Sequence, residues 1–170
     1  MNIVSSEFTY SAWNYFLLSQ EIGQKYNHQN IDLEHLFLSI IQNDKFFRII
    51  LEKNKVDIET IKTKLIIDIE KKGKMNNKQT NLYIGKNLQE LFLKAFQIKH
   101  QLQEVVISTE HLIIALTYHK RWGGYILNKK SIPEFLESIT AMKSVKSENN
   151  ELDSQTEVLD KFGIDLTKSA

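Results

Sequence analysis

Ile31-Asp32-Leu33-Glu34-His35-Leu36-Phe37-Leu38-Ser39-Ile40 returns as Ile107-Ser108-Thr109-Glu110-His111-Leu112-Ile113-Ile114-Ala115-Leu116, at an offset of 76 residues (110 − 34). A unit repeated at a fixed period usually cannot bury its apolar face alone, so the two copies are expected to pack together. The same offset aligns the segments upstream. Ala12, Tyr15, Phe16, Ser19, Ile22 and Tyr26 map onto Leu88, Leu91, Phe92, Ala95, Ile98 and Leu102. Spacings of three and four draw one stripe along a helix, broken only at Ser19. Downstream, Ile50-Leu51 with Val56 answers Ile126-Leu127 with Ile132, so the duplication outruns a single motif.

Helices are predicted over Thr9–Tyr26, from Asp32 onward, over Lys45–Asn54 and from Asp57, then near Asn87–Leu102, Ser108–His119, Arg121–Asn128 and Pro133–Lys143. Thr9 and Asp32 carry side chains suited to helix N-caps, and Glu34 falls in a first turn where the helix dipole favours negative charge. Leu36 to Ile41 is apolar nearly all round, the pattern of a helix buried on most sides. Pro133 is tolerable in a first turn, where its missing N–H would be unpaired anyway. With 6 Gly and 1 Pro in 170 residues and no sustained alternation, the chain reads as all-α, with strands limited to a stray pair. The expected architecture is two pseudo-symmetric four-helix repeats, about 8–70 and 84–143, packed as one domain over 1–143. Residues 144–170 read as a flexible linker, and Glu70 to Gly85 as a solvated basic loop between the copies.

Composition narrows the function. A hydrophobic share of 42% supports one core at this length. With 22 Lys+Arg against 21 Asp+Glu, nothing global favours a nucleic acid or a membrane as partner, and none is expected. Cys is absent, which removes disulfides and thiolate metal sites and suits a reducing cytoplasm. Met1 to Glu7 has no signal-peptide character, and no apolar run approaches the ~20 residues of a spanning helix. A soluble monomer is expected.

Catalytic motifs are missing. Gly85-Lys86 lacks the upstream Gly and the following Ser/Thr of a phosphate-binding loop. Glu34-His35 and Glu110-His111 are adjacent pairs whose side chains diverge by about 100° on a helix, a poor arrangement for one metal. No nucleophile elbow supports a hydrolase triad. The Glu-His pairs have two readings. In one, the acid serves the helix dipole and the His packs under the preceding loop with a ring nitrogen hydrogen-bonded. In the other, Glu34 and Glu110, placed equivalently in the two halves, offer carboxylates to a cationic or guanidinium-bearing partner.

Two Ile-x-x-Glu-His-Leu helix starts, the opening Phe8-Thr9-x-x-Ala12 and the closing Leu159-Asp160-Lys161-Phe162-Gly163-Ile164-Asp165-Leu166-Thr167 resemble the N-terminal domain of the Clp ATPases. The resemblance covers about Phe8 to Met142. The closing Asp-Leu-Thr looks like the lead-in to that family's first ATPase module. The wording of both helix starts is closer to ClpB disaggregases than to ClpC unfoldases, whose loops tend to carry Gly-Thr. The Lys/Asn linker and Trp122-Gly123-Gly124 depart from the family pattern.

The resemblance implies a non-catalytic module that binds unfolded or aggregated proteins, or an adaptor protein, for a hexameric ATPase. ATP would be handled downstream, and no cofactor or metal is expected in this chain. The alternatives are an adaptor-binding domain of a ClpC-like unfoldase and a free-standing accessory subunit of a Clp protease. It further implies substrate handling at Thr9, Glu104 and Glu110 in a ClpB-like domain, and phosphoarginine recognition at Glu34 and Glu110 in a ClpC-like one. Thr9 can equally serve only as an N-cap.

Overall fold

The structure, a computed structural model, describes residues 2–74 and 82–157, with 145–157 as backbone alone. A 3-10 turn at Ser5–Glu7 leads into α1 (Tyr10–Lys25), followed by β1 (Asn30–Ile31), α2 (Leu33–Asn43), α3 (Lys45–Lys53) and α4 (Ile58–Glu70). The second copy runs through β2 (Tyr83–Ile84), α5 (Lys86–Gln101), α6 (Thr109–Thr117) and α7 (Trp122–Leu127), and α8 spans Ile132–Glu157. The chain divides into two compact units, 1–129 and 130–170, and α8 belongs to the second.

The predicted helices form where the stripes and caps place them. Thr9 caps α1 by accepting from Ala12 N–H, and Asp57 caps α4 by accepting from Thr60 N–H. Ser19, the break in the first stripe, is fully buried, and its hydroxyl donates back to the Phe16 carbonyl. That bond satisfies a polar atom that would otherwise weaken the core.

Within each copy the first helix packs on the second, α1 on α2 and α5 on α6. Each first helix also meets the second helix of the other copy, α1 with α6 and α5 with α2. The core lies among these four. Leu36, Phe37, Ile40, Ile41, Leu112 and Leu116 are essentially sealed from solvent, as the all-round apolar pattern requires. Trp122 is fully buried and edge-on to Phe37 at 5.6 Å, which gives the Trp122-Gly123-Gly124 stretch a packing role. A Cβ at Gly123 would stand 2.3 Å from the Thr117 carbonyl oxygen, so only glycine admits this approach.

The stray strand pairing is a reciprocal stitch between copies. β1 pairs in parallel with β2, Asn30 with Tyr83 and Ile31 with Ile84, and Gly85 N–H donates to the Ile31 carbonyl at 2.8 Å. At the positions 76 residues away, Phe8 bridges Ile107 and Thr9 N–H donates to the Ile107 carbonyl at 2.9 Å. Each copy thus ties its first-helix cap to the strand before the other copy's second helix.

One boundary differs from the sequence expectation. The linker predicted from residue 144 is helical as far as Glu157, because after Pro133 no Gly or Pro interrupts the segment. α8 starts with a capping box in which Ser131 and Glu134 exchange hydrogen bonds. The rest of the predicted linker, and the closing Asp165-Leu166-Thr167, lie outside the described residues, as does part of the basic loop between the copies.

Candidate functional site

The two Glu-His pairs stand at the start of α2 and α6, and the histidines work inside the caps. Asp32 N–H donates to His35 Nδ1 at 2.9 Å while the Asp32 carboxylate receives the backbone of the first turn. Ser108 N–H donates to His111 Nδ1 at 2.9 Å, and Ser108 Oγ receives His111 N–H. This is a capping box with His in place of the usual Glu or Gln. Because Nδ1 accepts, the neutral ring carries its proton on Nε2. In the first copy that proton points to His28 Nδ1 at 3.0 Å, and in the second to Glu104 Oε2 at 3.3 Å. His28 and Glu104 are themselves equivalent positions, 76 residues apart. The reading of His as a capped, hydrogen-bonded core residue therefore describes both pairs.

Beyond the histidines the halves diverge. Asp32 caps two helices, since its Oδ1 accepts from Leu33 N–H at 2.9 Å in α2 and from Leu88 N–H at 2.8 Å in α5. Gly85, the N-cap of α5, has no side chain to do this, and a Cβ there would lie 2.5 Å from the Asp32 carboxyl carbon. Glu34 is 7% exposed and pairs with Lys72 Nζ at 2.8 Å; the same ammonium stands 4.0 Å from Asp32. Glu34 is equivalent to Glu110 by topology but not by surroundings. It is paired internally with a lysine that the sequence places in a solvated basic run. No sequence signal links positions 34 and 72; the contact exists only once α4 has turned the chain back.

The second corner is open. Thr9, Glu104 and Glu110 lie on segments joined at the Phe8–Ile107 bridge, with Glu104 on the His111 ring and Thr9 on the Ile107 carbonyl. The Glu104 side chain is 46% exposed, and Glu110 is half-buried. Among the described residues the most exposed large apolar side chains are Tyr10 and Val105, 88% each, and each directly follows one of these site residues. Behind them Phe8 and Phe16 both stack edge-on against Phe92 at 5.6 Å, so the junction has an aromatic floor linking α1 to α5. Leu17 on α1, and Leu93 and Phe96 on α5, are also exposed. Sequence reasoning missed this apolar set. The signal available was that Tyr10, Leu17, Leu93 and Phe96 fall off the buried stripe of their helices.

Among the described residues no group of three His, Cys, Asp or Glu side chains is placed to hold a metal ion. No described helix is long and apolar enough to cross a membrane.

Fold and corner together define a class: a helical tandem-repeat domain with one cap closed on itself and the other presented to solvent. The chain belongs to the Clp repeat (R) N-terminal domain family, whose model matches residues 7–130. It is 35% identical to the chaperone protein ClpB of Prochlorococcus marinus, over 100% of this chain and 20% of that protein. The chain spans about a fifth of the length of the curated relatives it matches. In fold it is similar to the Hsp104 N-terminal domain from Candida albicans, with a TM-score of 0.68 and 13% identity over 81% of this chain and 91% of that one. It is similar also to a ClpV N-domain solved in complex with a VipB peptide, with a TM-score of 0.62 and 12% identity over 79% and 88%.

Proposed function

We propose that this domain captures exposed apolar segments of unfolded or aggregated proteins, or an adaptor protein, as the non-catalytic N-terminal domain of a ClpB-like disaggregase. The observation that carries this reading is the contrast between the corners. Lys72 fills the acidic first corner, while the second presents the half-exposed Glu104 beside the open Tyr10 and Val105. Binding would be weak at a single domain and raised by multivalency in a hexameric, ATP-driven cytoplasmic assembly. ATP would act in modules outside this chain, and the domain would need no cofactor of its own. A ClpV N-domain carries a VipB peptide on the same fold, which supports a peptide-binding role here. The Glu34–Lys72 pair argues against a ClpC-like mode that needs both acids free for phosphoarginine.

A binding titration tests this. With a fluorescently labelled, denatured model protein, Glu110→Ala should weaken capture several-fold and shift stability by less than about 1 kcal/mol, the scale of a lost dipole interaction. Tyr10→Ser with Val105→Ser should weaken it further. Glu34→Gln should leave capture intact and lower stability by about 1–2 kcal/mol as Lys72 loses its partner. Unchanged capture in both Glu110→Ala and the Tyr10/Val105 variant would remove the second corner as the site.

A further inference from the structure

A second recognition surface lies away from the acidic corner. A cleft of about 520 Å³ opens between the N-terminal half of α5 and the C-terminal end of α6. Its floor includes Leu33, Leu91 and Ala115, all buried side chains of the shared core. Its walls carry Lys86, Lys94 and Lys120 against one acid, Glu90. None of the three lysines forms an ion pair with a described acid, although the chain as a whole has a net charge of only +1. Glu34, beside Leu33, is paired with Lys72 at 2.8 Å, and the Asp32 carboxylate accepts the Leu33 and Leu88 N–H groups. Three unneutralised ammonium groups over an aliphatic floor are an uncommon concentration on a near-neutral protein.

The polar atoms of the walls favour donors. His119 Nδ1 accepts the N–H groups of Arg121 and Trp122 at 3.2 and 3.3 Å, where α7 begins. Two N–H groups aimed at Nδ1 place the proton of the neutral ring on Nε2, so His119 lines the cleft with a donor to spare. Burial lowers the His119 pKa, and Arg121 lowers it further, against the opposing pull of Glu34, Asp32 and Glu90. Lys94 Nζ sits 4.0 Å above the Tyr118 ring, a stack that holds the ammonium at the cleft wall.

We propose that this cleft binds an acidic linear peptide, with carboxylates on Lys86, Lys94, Lys120 and His119 and one aliphatic side chain on the Leu33–Leu91–Ala115 floor. The charge complementarity selects the occupant: a neutral apolar segment would leave three ammonium groups unpaired, and a basic one would be repelled. The surface is separate from the corner assigned to clients, so the domain would carry two sites of opposite polarity.

The test uses a fluorescein-labelled acidic peptide with glutamates flanking a single leucine, read by anisotropy on the whole chain. Three further probes accompany it: the same peptide with lysines for glutamates, the same with serine for leucine, and a single-stranded DNA oligonucleotide. The acidic peptide should bind in a salt-dependent manner, and Lys86→Glu combined with Lys120→Glu should weaken it by about tenfold or more. Both residues are exposed, so the double variant should keep the wild-type melting transition. Glu110→Ala should leave acidic-peptide binding unchanged, which separates this result from the fate of the client corner. The proposal is overturned by equal binding of the lysine peptide, by oligonucleotide binding as tight as that of the acidic peptide, or by undiminished affinity in the double variant. Unchanged affinity of the serine peptide would likewise overturn it, by removing the aliphatic anchor.

Discussion

His28 and His35 form a chain of proton donors with one direction. Asp32 N–H feeds His35 Nδ1, His35 Nε2–H feeds His28 Nδ1, and His28 Nε2 is buried with no partner among the described residues. A proton added to His35 Nδ1 would face the Asp32 N–H it now accepts from, and one added to His28 Nδ1 would face the His35 N–H. Burial lowers the His35 pKa to about 4, aided by His28 and Lys72 and opposed by Asp32; burial lowers His28 as well, with Lys72 and Lys74. Unfolding releases both rings to take up protons near pH 6.5. The unfolded chain therefore binds more protons between about pH 6.5 and 4, and stability, complete above that window, falls as pH drops through it. His35 alone would account for about 3 kcal/mol by pH 4. Urea midpoints measured from pH 7.5 to 4 should fall in this way, and His35→Gln, which keeps a capping acceptor but binds no proton, should flatten the decline. An acid limb equally steep in the variant would remove the histidine chain as its cause. One of the two sequence readings packed His35 and His111 under the preceding loop with a ring nitrogen hydrogen-bonded. It could not show that position 28 supplies His35 with a histidine where position 104 supplies His111 with a glutamate, because that pairing depends on how the chain turns after α1 and α5.

At the scale of elements, Asp32 does the work of two caps. An N-cap lost to Ala typically costs about 1 kcal/mol, so Asp32→Ala, which uncaps α2 and α5 together, should cost about 2 kcal/mol. Ser108→Ala uncaps α6 alone and should cost about half as much. Chemical denaturation of the two variants compares them directly; equal losses would mean that α5 gains nothing from Asp32. The helix starts at α1 and α2 were legible because Thr9 and Asp32 carry acceptor side chains just ahead of apolar stripes. The second duty of Asp32 was not, since Gly85 reads locally as a poor cap and nothing in its neighbourhood names a donor of help 53 residues upstream (85 − 32). The length of α8 was missed for a different reason. Polar composition between Ser144 and Glu157 argues for solvent exposure, and exposure was read as absence of helix although no breaker interrupts the run.

Across the whole molecule, the first unit should melt once. α2 and α6 are buried on nearly every side by helices of both copies, so neither half has a core of its own. Leu36→Ala or Leu112→Ala should each cost about 2–5 kcal/mol and lower the same single transition. Calorimetry that resolves one transition per copy would contradict the shared core. The repeat was the most legible feature, since equivalent apolar positions recur through four helices. The structural asymmetry was the least legible, because Glu34 and Glu110 are written alike, yet Glu34 is buried against Lys72 while Glu110 is half-buried. The reciprocal stitches, Phe8 to Ile107 and Ile84 to Ile31, carry a consequence for either copy taken alone. A lone half would have its first-helix cap and its strand edge unpaired, each matching what a second copy offers, so an isolated half is expected to associate with another as an isologous pair. Two copies joined in one polypeptide are under no such demand for symmetry. Here the first half holds Glu34 and Lys72 together, while the second leaves Glu104 half-exposed.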